Sequence, residues 1–248
     1  MKRLWPLAAL GVGAFVIFAL VTFPASVVLS WLGSAGVTAG GVSGTLWHGR
    51  AQVLQVQGIN IGGVEWNLHA LPLLTAHANA DVKVTRIDGF ATTQLSAGFG
   101  SLRLKNTTAS LPLSALPANV LPGGWTGTLN GKFSEVTLNN GWPTSVNGTL
   151  DAIDLTGPAQ KPQNVGSYRV VFDPAASTAE SLKGAITDAG DGPLQINGTL
   201  ELKSDRSYAL DAMVAARPNA PRNLAQALEY LGPPDAQGRR QFSMAGTM

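Results

Sequence analysis

The 248-residue sequence contains no cysteine. Its fold therefore stands without disulfides even in an oxidising compartment, and thiolate catalysis and Cys-ligated zinc are excluded. Charge is also scarce: Asp, Glu, Lys and Arg make up 13% of the chain, with none between Arg3 and Arg50. Lys2 and Arg3 account for the whole formal excess of +2, since residues 4–248 carry 15 basic and 15 acidic side chains. Arg217, Arg222, Arg239 and Arg240 are the few clustered cations, too sparse to neutralise a run of phosphates, so a nucleic-acid partner has no electrostatic footprint. No P-loop, dinucleotide fingerprint or Gly-x-Ser-x-Gly elbow occurs. The three histidines, His48, His69 and His77, lack the spacing of a metal site. No catalytic, cofactor-binding or metal-binding residue is assigned, and the chain is read as a non-enzyme.

What is present begins with an apolar run. Leu4 to Leu32 holds no charged residue. At about 1.5 Å per residue, roughly 20 apolar residues cross a ~30 Å hydrocarbon core, so this run is expected to form a single transmembrane helix. Lys2 and Arg3 favour a cytoplasmic N-terminus. Pro24 and Trp31 suit an exit at the far interface. The alternative is a cleaved signal peptide, whose apolar core is shorter and is followed promptly by a small-x-small site. Here the small cluster Gly33–Gly36 comes late, which favours a retained anchor. The expected organisation is a cytoplasmic stub (1–3), an anchor (4–32) and an exported domain (33–248).

The exported part reads as β-structure. Val82-Lys83-Val84-Thr85-Arg86-Ile87, Leu102-Arg103-Leu104 and Gln195 to Lys203 alternate apolar with polar, the period of half-buried antiparallel strands. Turn signals separate the runs at Asp88-Gly89, Asn130-Gly131, Asn139-Asn140-Gly141 and Asp191-Gly192-Pro193. A Gly-Thr-Leu motif recurs at Gly44, Gly127, Gly148 and Gly198, with a degraded copy at Gly246, at intervals from 21 to 83 residues. That irregularity excludes a solenoid and marks a repeated strand type, in which the glycine supplies a bulge or close backbone approach. Pro221 to Leu231 carries one short helix, with Leu224, Leu228 and Leu231 on one side, Gly232 and two prolines closing it. The expected fold is all-β: an extended, curved antiparallel sheet with a groove and one short C-terminal helix.

Among candidate site residues, Trp47, Trp66, Trp125 and Trp142 each lie beside Gly or in alternating sequence. They are read first as rings packed against glycine-formed gaps, and second as contacts to a partner or lining of a groove. The carboxylate pairs Asp151/Asp154 and Asp188/Asp191 are assigned to turns, where Asp bonds its own backbone. Asn106, Asn147 and Asn197 match the N-x-Thr acceptor pattern.

Several segments together resemble a known family. They are Phe23-Pro24-Ala25 at the end of the apolar run, Val42 to Ala51, and Val64-Glu65-Trp66-Asn67-Leu68. Downstream they are Asp191-Gly192-Pro193-Leu194, Gly198-Thr199-Leu200, and Leu224 to Gly232 followed by Asp235 to Arg239. This order is similar to protein N of the type II (general) secretion system. The resemblance implies a single-pass protein of the bacterial inner membrane with a periplasmic β-rich domain. It would be an accessory, non-enzymatic component in the export of folded proteins, with inner-membrane platform subunits or the secretin as partners. The same architecture also resembles AsmA-like envelope proteins that handle lipid, so a lipid-binding groove is the alternative; a periplasmic hydrolase ranks third.

Overall fold

A computed structural model of the chain describes residues 5–70, 78–98, 100–116, 124–157, 162–178 and 180–247. Two compact units divide it, residues 1–87 and 88–248.

In the first unit the apolar run is two helices rather than one, α1 (Trp5–Val21) and α2 (Ala25–Trp31). Pro24 causes the break. It has no N–H to continue the ladder, and it adopts extended backbone (φ −68°, ψ 135°) immediately before α2. Among the described residues no helix is long and apolar enough to cross a membrane. Five strands follow: β1 (Val37–Gly40), β2 (Ser43–Gly44), β3 (His48–Val56), β4 (Ile59–His69) and β5 (Ala78–Thr85). β3 pairs antiparallel with β1, β2 and β4, and β4 with β5. Gln57-Gly58 makes the β3–β4 turn with both residues at positive φ, the backbone that matches strand twist.

The second unit is a row of nine antiparallel strands in sequence order. They are β6 (Phe90–Gly98), β7 (Ser101–Pro112), β8 (Thr126–Asn139), β9 (Trp142–Gly157), β10 (Gln163–Phe172), β11 (Ser181–Asp188), β12 (Leu194–Lys203), β13 (Ser207–Ala216) and β14 (Arg240–Thr247). Asn140-Gly141, both at positive φ, closes the β8–β9 hairpin as the sequence signal requires. Asn130-Gly131, by contrast, lies inside β8 and is no turn; Gly131 is paired with Ala109 and Leu150. Asp151 and Asp154 likewise lie within β9 rather than in a turn. β7 ends at Pro112 and is followed by a 3-10 turn at Leu113–Ala115.

Strand alternation sorts the side chains onto two faces. Phe172, Gly184, Leu200, Leu210 and Met244 form one cross-strand row, whereas Arg169, Thr187, Asn197, Met213 and Gln241 form a row of the opposite, polar face. The core is assembled from side-by-side strands: Val146, Phe172 and Leu182 make one buried cluster, flanked by Phe133, Leu150 and Leu200. A second cluster of Leu194, Ala212 and Val214 is covered by α3 (Arg222–Glu229) through Leu224 and Leu228. No large side chain among the described residues is fully buried.

The Gly-Thr-Leu copies all fall in strands, with Gly44, Gly127, Gly148, Gly198 and Gly246 in β2, β8, β9, β12 and β14. Most of these glycines make room for a cross-strand neighbour. Gly148 is paired with Phe133 on one side and Phe172 on the other. Gly246 is paired with Tyr208, whose ring occupies the space a Cβ would need. Gly49 and Trp66, and Gly184 and Phe172, repeat the arrangement. An aromatic ring lying across a paired glycine fills the void and shields the exposed ladder, which pins strand register.

Candidate functional site

Two constructed sites emerge, one in each unit. In the first, residues 44–51 grip the break between α1 and α2. Thr45 and His48 close a tight turn, Thr45 N–H donating to the His48 carbonyl at 2.8 Å and the His48 N–H to Thr45 Oγ1 at 3.2 Å. The Leu46 N–H donates to the Phe23 carbonyl (2.8 Å), and Pro24 and Thr45 form a β-bridge. Trp47 Nε1 donates to the carbonyl of Leu20 at 2.8 Å, a second donor to an oxygen that also accepts the Phe23 N–H at 3.4 Å where α1 ends. Trp66 Nε1 donates to the Leu46 carbonyl at 3.0 Å while its ring lies across Gly49. The end of α1 is thus tied to the strands by the Trp47 indole and a backbone bridge, with the Trp66 indole bracing Leu46. Trp47→Phe keeps the ring and removes one donor. We expect a local loss of about 1 kcal/mol, read as faster amide exchange at residues 20–23 with the rest of the protection pattern unchanged.

The second site gathers polar groups at one end of β9–β12. Asp188, at the end of β11, accepts the Gly190 N–H (2.9 Å), the Ile196 N–H (3.0 Å) and Arg217 Nη2. Arg217 Nη1 also donates to the carbonyls of Gly192 (3.0 Å) and Leu194 (3.3 Å), so one guanidinium fastens the whole Asp188–Leu194 loop. Ser167, the buried polar residue on the neighbouring strand, donates its hydroxyl to Asp191 Oδ2 at 2.7 Å and its N–H to Oδ1 at 3.2 Å. It also accepts the Asp154 N–H at 3.2 Å, at a bulge where Asp154 has φ 53°. Arg169 grips Asp151 with two nitrogens at 2.5 and 3.2 Å. Asp151, Ile153, Tyr168, Arg169, Asp188 and Asp191 border a cavity of about 540 Å³.

The electrostatics follow from these contacts. Burial pushes the Asp188 carboxyl up, but the Ile196 N–H, Arg217 and the Gly190 N–H outweigh it and hold the group below the ordinary carboxylate range. The Ser167 hydroxyl and N–H do the same for Asp191. Burial, together with Asp188 and Asp191, pushes Tyr168 up to about 12 against the pull of Arg217. The carboxylates stay ionised and the phenol stays neutral across the physiological range. The arrangement serves to fix a loop and to hold charge in place.

The four candidate tryptophans fall two in each unit. Trp47 bonds to the end of α1 and Trp66 to the Leu46 carbonyl beside it; Trp125 lies across Gly157, and Trp142 opens β9 with its Nε1 buried and unbonded. All four are half-buried. His48 is exposed, and His69 is exposed and lies 3.0 Å from Asp81; His77 lies outside the described residues. No group of three potential metal ligands occurs among the described residues. Sequence reasoning missed Ser167, Tyr168 and Arg217. The Asp191-Gly192-Pro193 turn was visible, but nothing local marks an arginine 29 residues from Asp188 as its partner.

The first unit is a helical lead tied to short antiparallel strands, and the second is a row of consecutive antiparallel hairpins whose polar cluster fixes a loop. Comparison with known proteins supplies the family. Residues 35–243 match the family described as type II secretion system (T2SS), protein N, and the chain belongs to that family. It is 28% identical over 249 residues to the type II secretion system protein N of Aeromonas hydrophila, covering 96% of each chain. It is also 28% identical to that of Vibrio cholerae serotype O1 over 244 residues, covering 92% of each. No solved structure matches.

Proposed function

We propose that this chain is a non-enzymatic accessory subunit of a type II secretion apparatus, held in the inner membrane and contributing to export of folded proteins across the outer membrane. The observation that carries the reading is the family match over residues 35–243. Its partners are then inner-membrane platform subunits or the secretin. Residues 1–3 lie in the cytoplasm, 4–32 provide the anchor and 33–248 are periplasmic.

Anchoring is supported by the character of α1. Its 17 residues are apolar all round, and Leu10, Phe15, Ile17 and Phe18 are each at least 64% exposed. A helix apolar on every side needs an apolar surrounding. At about 1.5 Å per residue, 17 residues reach roughly 25 Å, the lower end of a spanning length. The grip on Leu20–Pro24 by Trp47 and its neighbours would then sit where the chain leaves the bilayer. A reporter that works only outside the cytoplasm, fused after Met248, is expected to be active. Activity of only a cytoplasmic reporter at that site would overturn the topology.

Lipid handling through an apolar groove is the second reading. It is favoured by the apolar face of the β8–β14 sheet, where Met244 is 46% exposed and most large side chains are half-buried. Photo-cross-linkers at Trp47, Trp66, Trp125 and Trp142 in intact cells separate the two. Adducts with secretin or platform subunits support the assembly role; adducts dominated by phospholipid replace it with lipid handling.

A further inference from the structure

β14 ends its row of strands, and its outer edge is unpaired among the described residues. Native sheets protect such edges with lysine, proline, a bulge or short length. β14 has none of these: its eight residues, RQFSMAGT, include no Lys and no Pro, and they pair with β13 without a register shift. Its one charged side chain, Arg240, is already engaged with the Gly232 carbonyl. The edge strand of the first unit is different, with β1 only four residues long and flanked by α2 and the Leu32–Ala35 turn.

The sequence of this edge is complementary to itself. In an antiparallel pair, residues directly opposite share a face. A two-fold axis at Met244 sets Met244 against Met244, Ser243 against Ala245, Phe242 against Gly246 and Gln241 against Thr247. No like charges meet. Phe242 of one copy falls across Gly246 of the other, whose inner side is already covered by Tyr208. The resulting row of aromatic, glycine, aromatic repeats the Phe133–Gly148–Phe172 row inside the same sheet. We propose that two copies of this chain pair antiparallel through β14, with the two-fold axis at Met244. Main-chain hydrogen bonds supply the attachment and the ring-over-glycine fit fixes its register.

Because the chain has no cysteine, single cysteines report the pairing without background. The test uses the full chain in its native membranes under mild oxidation, read on non-reducing gels with mass identification. Met244→Cys places two thiols directly opposite, within reach of a disulfide. Gln241→Cys places them six residues apart, about 20 Å at roughly 3.3 Å per residue. We expect on the order of tenfold more covalent homodimer from M244C than from Q241C, and recovery of the dimer when Q241C and Thr247→Cys chains are co-expressed. Met244→Lys in the mixed Q241C/T247C pair should abolish it, since it sets like charges across the axis. Position 244 is 46% exposed, so an unchanged thermal melt of M244K certifies the fold. Absence of dimer from folded M244C, equal cross-linking by Q241C, or attachment of M244C to a different protein would each overturn the proposal.

Discussion

Gly148→Ala is expected to lower stability by about 3–5 kcal/mol, combining left-handed backbone strain with overpacking. Gly148 has φ 149°, and an added Cβ would overlap the Lys132 carbonyl and lie 2.6 Å from the Cα of Phe133. Both neighbours are backbone, so neither can rotate away. The position is also paired with Phe133 on one side and Phe172 on the other, with the Phe133 ring 2.9 Å from the added Cβ and Phe172 a member of the Val146–Phe172–Leu182 cluster. Any relief would shift two hairpins at once. The comparison is Gly40→Ala, in β1, where nothing lies within 4 Å and the backbone is ordinary. Urea unfolding of the two variants should show a large drop in midpoint for the first and no measurable change for the second. Equal midpoints would mean that the glycine–aromatic rows do not set strand register.

Asp188→Ala is expected to cost about 3 kcal/mol, the low end of the range for breaking a buried ion pair. The Asp188 and Arg217 side chains are 12% and 24% exposed, so removal of the carboxylate strands a partly buried guanidinium and two loop N–H groups. The pH dependence has a definite sign. The folded carboxyl titrates below its unfolded value, so its contribution is present above about pH 4 and is lost as pH falls through the folded value. Asp188→Asn should therefore flatten the acid limb of the stability curve. Tyr168 acts at the other end: its raised value gives a contribution held below about pH 10 and lost as pH rises through about 12. Parallel acid limbs for the wild type and D188N would refute the assignment of that limb to Asp188.

Much of the fold was legible because its signals are local. Alternation in Gln195–Lys203 and the Asn140-Gly141 turn each reflect one strand or one hairpin, and β12 and the β8–β9 turn lie where the pattern puts them. Pro221 and Gly232 bracket α3 for the same reason. Asn130-Gly131 misled because the same dipeptide serves a turn or a close cross-strand approach, and only the neighbouring strands Ala109 and Leu150 decide which. The continuous apolar run likewise concealed its break, since hydropathy does not register the N–H that Pro24 lacks.

Sequence by itself determined the strand period, the turn at Asn140-Gly141 by its residue chemistry, the absence of disulfides, and the type II secretion protein N family, since each is carried by neighbouring residues or by ordered motifs. Tertiary structure alone decided that Trp47 ties down the end of α1, that Arg217 fastens the loop at Asp188, and that Gly148 lies between two phenylalanines. Those contacts join residues 27 or 29 positions apart, or on adjacent strands. They exist only once pairing register brings the backbones within reach, and register is a property of the assembled sheet.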